Sequence, residues 1–257
     1  MAAVESDSIL AELVQYVRHT GRRDLLAFES LVGARQYRPL HDLLRAWVPL
    51  GATVLDWGAG GGHFSFFLLR TGYRATGFGF TRPRLLENAD SHAYCFVEGG
   101  LDEPVLLPFP DASFDAVCSV GVLEHVRETG GDEAASLAEI ARLLVPGGVF
   151  VCYHLPNRTS WIEFVARRVP SMHHHRWRYD APAIGDLVRG AGLELEVLKR
   201  YGLLPRNGWA RLQGLGGSPR VADAWDHLDA LGARLLPWIC QNFLFVARKP
   251  VADLLRS

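Results

Sequence analysis

The stretch Val54-Leu55-Asp56-Trp57-Gly58-Ala59-Gly60-Gly61-Gly62-His63-Phe64-Ser65 constrains this chain more than any other. A β-rich apolar run enters a cluster of glycines and leaves as a helical pattern. That strand–turn–helix lets backbone N–H groups approach a small polar ligand closely, at a helix N-terminus. The spacing is Asp-x-Gly-x-Gly-x-Gly, and the third glycine of a dinucleotide fingerprint is replaced by His63, which argues against NAD or FAD.

Around this turn the pattern alternates between short β-rich runs and helical segments, as expected of a parallel sheet with crossover helices. The expected strands are Thr53 to Asp56, Arg74 to Phe80, Tyr94 to Val97, Phe114 to Ser119, Val149 to Tyr153, Leu193 to Lys199 and Phe243 to Arg248. Helices are expected to begin near Gly61, Pro83 and Asp132, the last ending at Val145-Pro146-Gly147-Gly148, with another after the N-cap Asp180. Residues 1–50 read as a helical lead-in, with Ile9, Leu10, Leu13, Val14 and Val17 at helical spacing. Residues 51–250 read as one domain, interrupted by insertions at about 155–179 and 201–241 that are too long to be plain connections.

Composition narrows the function. The chain has 27 basic and 28 acidic side chains and a formal net charge of -1, so a nucleic-acid partner is not expected. Cys95, Cys118, Cys152 and Cys240 stand apart in apolar runs and read as buried thiols of a cytoplasmic protein. There is no signal-peptide pattern and no apolar run near the roughly 20 residues that span a bilayer.

On the glycine turn and three later segments, the sequence resembles the class I methyltransferases that use S-adenosylmethionine (SAM). The later segments are Leu107-Pro108-Phe109-Pro110-Asp111-Ala112-Ser113-Phe114-Asp115, then Val122-Leu123-Glu124-His125-Val126, then Leu144-Val145-Pro146-Gly147-Gly148. The resemblance implies a three-layer α/β Rossmann-like fold, its mostly parallel seven-stranded sheet ending in an antiparallel strand. It implies that Gly58, Gly60 and Gly62 line the methionine and ribose portion of SAM, with Asp56 orienting the turn or the cofactor's amino group. Asp102 or Glu103 would meet the adenine amino group, and Ser119 and Val120 would border the cofactor. The family usually ends its second strand in an acidic residue that holds both ribose hydroxyls. Here that position is Gly79, followed by Phe80 and Thr81. Losing such a contact weakens binding by on the order of 1.5 to 3 kcal/mol unless other contacts replace it.

Methyl transfer needs alignment above all, and a base helps when the acceptor is a hydroxyl. His125 and His154 follow the expected fourth and fifth strands, beyond whose C-terminal ends substrates bind. The run His173-His174-His175 suggests a metal, but three adjacent side chains do not converge easily on one ion. No metal is expected. The two insertions carry five of the seven tryptophans, which points to a bulky, partly apolar small-molecule acceptor, free or linked to a lipid or glycan. They serve equally well as a homodimer contact. The expected function is O-methylation; the alternative is a non-catalytic or altered-cofactor member of the same fold acting as a binding or regulatory protein.

Overall fold

The computed structural model describes residues 5–89, 92–100, 102–170, 172–212 and 214–251. Residues 1–4 of the expected lead-in, and positions 90, 91, 101, 171 and 213 within the expected domain and its insertions, lie outside the described residues.

Seven strands form one sheet: β1 (Thr53–Trp57), β2 (Arg74–Gly79), β3 (Tyr94–Glu98), β4 (Phe114–Val120), β5 (Leu144–Pro156), β6 (Glu194–Tyr201) and β7 (Asn242–Arg248), in the order β3-β2-β1-β4-β5-β7-β6. The first five run parallel, and β7 is antiparallel to both β5 and β6. The strand order reverses beside β1, so the ends of β1 and β4 open the crevice in which such sheets bind ligands.

The helices are α1 (Ser6–Thr20), α2 (Leu31–Ala34), α3 (Arg38–Trp47), α4 (His63–Thr71), α5 (Glu133–Leu143), α6 (Trp161–Ala166), α7 (Ala181–Gly190) and α8 (Pro219–Leu235). The apolar stripes of α1, α3 and α4 cover one face of the sheet, joined there by Ala75, Ala116, Val149 and Val151. Those of α5 and α7 cover the other, with Leu55, Val117, Phe150 and Phe245. Local signals set the helix ends. Asp132 and Asp180 accept from the backbone nitrogens of Ala135 and Ala183, and Gly72 ends α4 in the left-handed conformation.

Three expectations need correction. The helix expected at Pro83 is only a 3-10 turn, Arg84–Leu86, and residues 99–113 between β3 and β4 contain no helix. The turn expected at 145–148 lies inside β5, where the pairing with β4 shifts register between Phe114 and Ala116 and Gly147 takes a φ of 80°. Cys95 is exposed because β3 is an edge strand with partners on one side only. In the first insertion the amphipathic stretch Trp161 to Val169 buries Glu163 and Ala166 and leaves Phe164, Val165 and Val169 exposed, the carboxylate being drawn in by His175.

Candidate active site

The glycine turn folds back on β2: the Gly58 and Ala59 backbone nitrogens both donate to Phe78 O, at 2.9 and 2.8 Å. Gly58, Gly60 and Gly62 have φ values of 80°, 48° and 86°, which L side chains adopt only at a cost. Two of these glycines are also pressed by neighbours, Gly58 by the Val122 side chain and Gly62 by Pro83 at 2.6 Å from where a Cβ would stand. Gly60 differs, with open space around that direction and nothing nearer than Gly58 O at 3.8 Å. It is the part of the turn that faces outward, a cradle a side chain would fill.

Asp56 is 1% exposed and accepts from Ser65 Oγ at 2.6 Å. Burial lifts its carboxyl to about 6, against the pull of Ser65. Its bond to α4 ties strand to helix and sets the turn between them. Ser119 is fully buried and its Oγ accepts from Leu123 N at 3.3 Å, while Val120 pairs with Tyr153 across the sheet. Phe80 is 52% exposed at the end of β2 and Thr81 is exposed after it. Asp102 and Glu103 sit on an exposed loop, with Pro104 and Val105 packed near Gly130 and Gly131. No hydrogen bond joins either carboxylate to the glycine turn.

The lead-in closes over this turn. Leu25 Cδ2 lies 2.5 Å from where a Gly61 Cβ would stand. Tyr37 packs on His63 at 4.6 Å and edge-on against His154 at 5.1 Å, while Phe28 stacks on Tyr37 at 5.1 Å. Burial holds His63 neutral, pushing it down to about 4. None of these lead-in partners is legible from the turn itself.

Beyond Tyr37 opens a cleft of about 1050 Å³, lined by Gly121, Glu124, His125 and His154 at the strand ends. Ile162, Met172 and His175 line it from the first insertion, and Leu204, Arg206, Ala230 and Ala233 from the second. Arg35 anchors the lead-in to the second insertion through Asp223 and Asp226, and Arg206 pairs with Asp226 and Asp229.

His154 has a φ of 67° at a point where β5 shifts register against β7, between Cys152 and Leu155. Such bulges re-aim side chains. Its Nδ1 meets the Tyr201 hydroxyl at 2.9 Å and Asn242 Nδ2 at 3.2 Å, while Nε2 has no partner. Burial pushes the ring down to about 3, so it stays neutral, with Nδ1 accepting and the proton on Nε2.

Glu124, unremarked as a reacting group in the sequence, is 3% exposed with its Oε2 unpartnered. Burial raises its carboxyl to about 7. His125 Nδ1 lies 3.1 Å from Glu128 and His175 Nδ1 2.8 Å from Glu163. Burial pulls His175 down, but the Glu163 bond and the surrounding carboxylates outweigh it and hold the ring above its ordinary value. Donor atoms of Glu124, His125 and His175 lie within 4.8 Å of one another. At that limit an ion equidistant from all three would stand about 2.8 Å from each, longer than the roughly 2.0–2.2 Å bonds such donors make. The group is drawn together in space by the first insertion, which the adjacency of His173, His174 and His175 could not show.

Residues 55–152 match the model of the family described as "Methyltransferase domain". The chain is 33% identical over 180 residues to the ubiquinone biosynthesis O-methyltransferase of Xanthomonas axonopodis pv. citri, covering 64% of this chain and 72% of that protein. It is 34% identical over 200 residues to the protein of that name from Xylella fastidiosa, covering 68% and 77%.

The chain belongs to the class I SAM-dependent methyltransferases.

Two solved structures share the methyltransferase's fold. The 1,6-didemethyltoxoflavin-N1-methyltransferase of Burkholderia thailandensis aligns with a TM-score of 0.55 at 21% identity, covering 97% of this chain and 91% of that one. The [4+2]-cyclase SpnF aligns at 0.57 and 20%, covering 98% of each. The methyltransferase uses SAM, and the open cradle at Gly60 fits a ligand of that kind. Among the described residues no helix is long and apolar enough to cross a membrane.

Proposed function

We propose that this methyltransferase methylates a hydroxyl oxygen of a bulky, partly apolar small molecule held in the cleft between the two insertions. The carrying observation is the shared wall. Gly121, next to the Val122 that presses on Gly58, and Tyr37, packed on His63, both line the cleft, so an acceptor there lies beside the cofactor turn. The O-methyltransferase names of the relatives support oxygen as the attacking atom.

In this reading Gly58, Gly60 and Gly62 hold the methionine and ribose portion of SAM, Asp56 fixes their turn, and Phe80, Thr81, Ser119 and Val120 border it. Asp102 and Glu103 reach the adenine only if their exposed loop folds inward. Bound in the turn, SAM supplies an electrophilic methyl group.

Glu124 takes the acceptor's hydroxyl proton, its buried, unpartnered oxygen and a pKa near neutrality suiting a general base. His125 and His175, paired with Glu128 and Glu163, stand within 4.8 Å of it and favour its ionised form. His154 is a donor in this scheme: its only free nitrogen bears a proton, and it fixes an oxygen of the acceptor in place. The exposed apolar side chains of both insertions, among them Phe164, Met172, Leu231 and Trp238, suit an acceptor with a lipid or glycan-lipid portion. Domain limits of 51–250 after a lead-in of 1–50, and a cytoplasmic location, belong to the same reading.

The test is a screen of hydroxylated aromatic compounds with apolar side chains against purified protein and SAM, with products identified by mass and by NMR of the new methyl group. Methoxy products support the reading, and methyl on nitrogen or carbon would overturn it. Gly79 favours a second reading, a protein that binds without transferring. A folded protein that binds S-adenosylhomocysteine but never turns over SAM would establish that one instead.

A further inference from the structure

The end of β2 lacks the carboxylate expected for the ribose, yet the structure provides one on the neighbouring strand. Glu98 is the register partner of Gly79 in the parallel β2–β3 pair. The face it occupies can be read from contacts. A Cβ on Gly77 would meet Tyr94 and Phe96, and one on Gly79 would meet Phe96 at 3.8 Å. Tyr94, Phe96 and Glu98 alternate onto one side of β3, so Glu98 projects from the same side as the side chain that Gly79 lacks. That is also the side of the glycine turn, since Ala59 N lies 3.7 Å from the same Gly79 direction.

The surroundings leave this carboxylate free. Glu98 is exposed and, among the described residues, makes no ion pair or hydrogen bond through its side chain. Its backbone is held beside β2 past the end of the strand, where Gly99 N donates to Gly79 O at 3.0 Å. Phe80, 52% exposed, follows at the C-terminal edge of the sheet, a large apolar ring half in water. A free carboxylate and an exposed ring thus flank the vacant position, the combination a nucleoside needs for its diol and its base.

We infer that Glu98 is the ribose-binding carboxylate of this methyltransferase, reaching from β3 over Gly79 to accept hydrogen bonds from the cofactor's 2′- and 3′-hydroxyls, with Phe80 packing beside the adenosine. This rests on the glycine turn holding SAM. A side chain at position 79 is replaced by one from the adjacent strand, and Gly79 keeps the space between clear.

Calorimetric titration with S-adenosylhomocysteine tests this directly. Glu98→Gln is expected to weaken binding tenfold to a hundredfold while thermal unfolding is unchanged, because the side chain holds nothing in the protein. Adding Gly79→Glu to that variant restores affinity, since a Cβ at 79 meets only ordinary contacts. Binding by Glu98→Gln within twofold of the parent would overturn the inference while leaving the cofactor turn intact. Failure of the parent protein itself to bind would overturn instead the placement of SAM in the turn.

Discussion

The Tyr201 hydroxyl stands 2.9 Å from His154 Nδ1 and 3.0 Å from the backbone nitrogen of the same residue. One phenol on β6 thereby fixes both the ring and the left-handed backbone of a residue on β5. Such a backbone costs a non-glycine residue about 1–2 kcal/mol, which this bond and that of Asn242 offset. The expected consequence is a single tautomer, protonated on Nε2, from pH 5 to 8. Long-range ¹H–¹⁵N spectra of histidine-labelled protein read it, and Tyr201→Phe should mix the tautomers. His154→Ala should slow transfer at least tenfold with S-adenosylhomocysteine affinity unchanged; a large affinity loss would place His154 against the cofactor instead.

Gly60→Val should abolish cofactor binding. Its φ of 48° and the open space around it mean that the new side chain meets little protein but fills the cradle, at an unfolding cost of about 1–2 kcal/mol. Equal affinity in a folded variant would remove SAM from this turn.

Glu124 sets the pH dependence. Its carboxyl, lifted by burial to about 7, must be ionised to accept a proton, so activity should rise as pH increases through that value and flatten above it. Glu124→Gln should lose the acid limb and about 10²–10⁴ in kcat. A limb that survives the substitution belongs to another group.

Dialysis against EDTA should leave activity unchanged, since Glu124 acts here as a base rather than a ligand. Activity lost to the chelator and restored by a divalent cation would turn these three residues into a metal centre.

Arg35, 6% exposed and paired with Asp223 and Asp226, should matter to stability. Arg35→Ala should cost about 1–3 kcal/mol, less than the roughly 3–5 kcal/mol of a fully buried broken pair because Asp223 is 56% exposed and screened. The melting temperature reads it, and the acceptor's KM should rise with it as the second insertion loosens.

The strands were legible because each alternates or runs apolar within a few residues of strong turn signals, and the glycine turn because its spacing is a backbone requirement. The 3-10 turn at Arg84–Leu86 was not, since proline opens helices of any length. Glu98 went unremarked in the sequence because its meaning depends on register with Gly79, which no local pattern carries. Glu124 and His175 lie 51 residues apart, and only the folding of the first insertion makes them neighbours. His154 was found by its place after the expected end of a strand, whereas its reading as a donor follows from Tyr201 and Asn242, both distant in sequence.

Tyr37 touches His63 on one side and His154 on the other, and the backbone oxygen of its neighbour Gln36 accepts from Tyr153 at 2.5 Å. One short segment thus roofs two compartments at once. A substitution that shifts Tyr37 is therefore expected to disturb the cofactor turn and the cleft together, so that cofactor affinity and acceptor KM change in step.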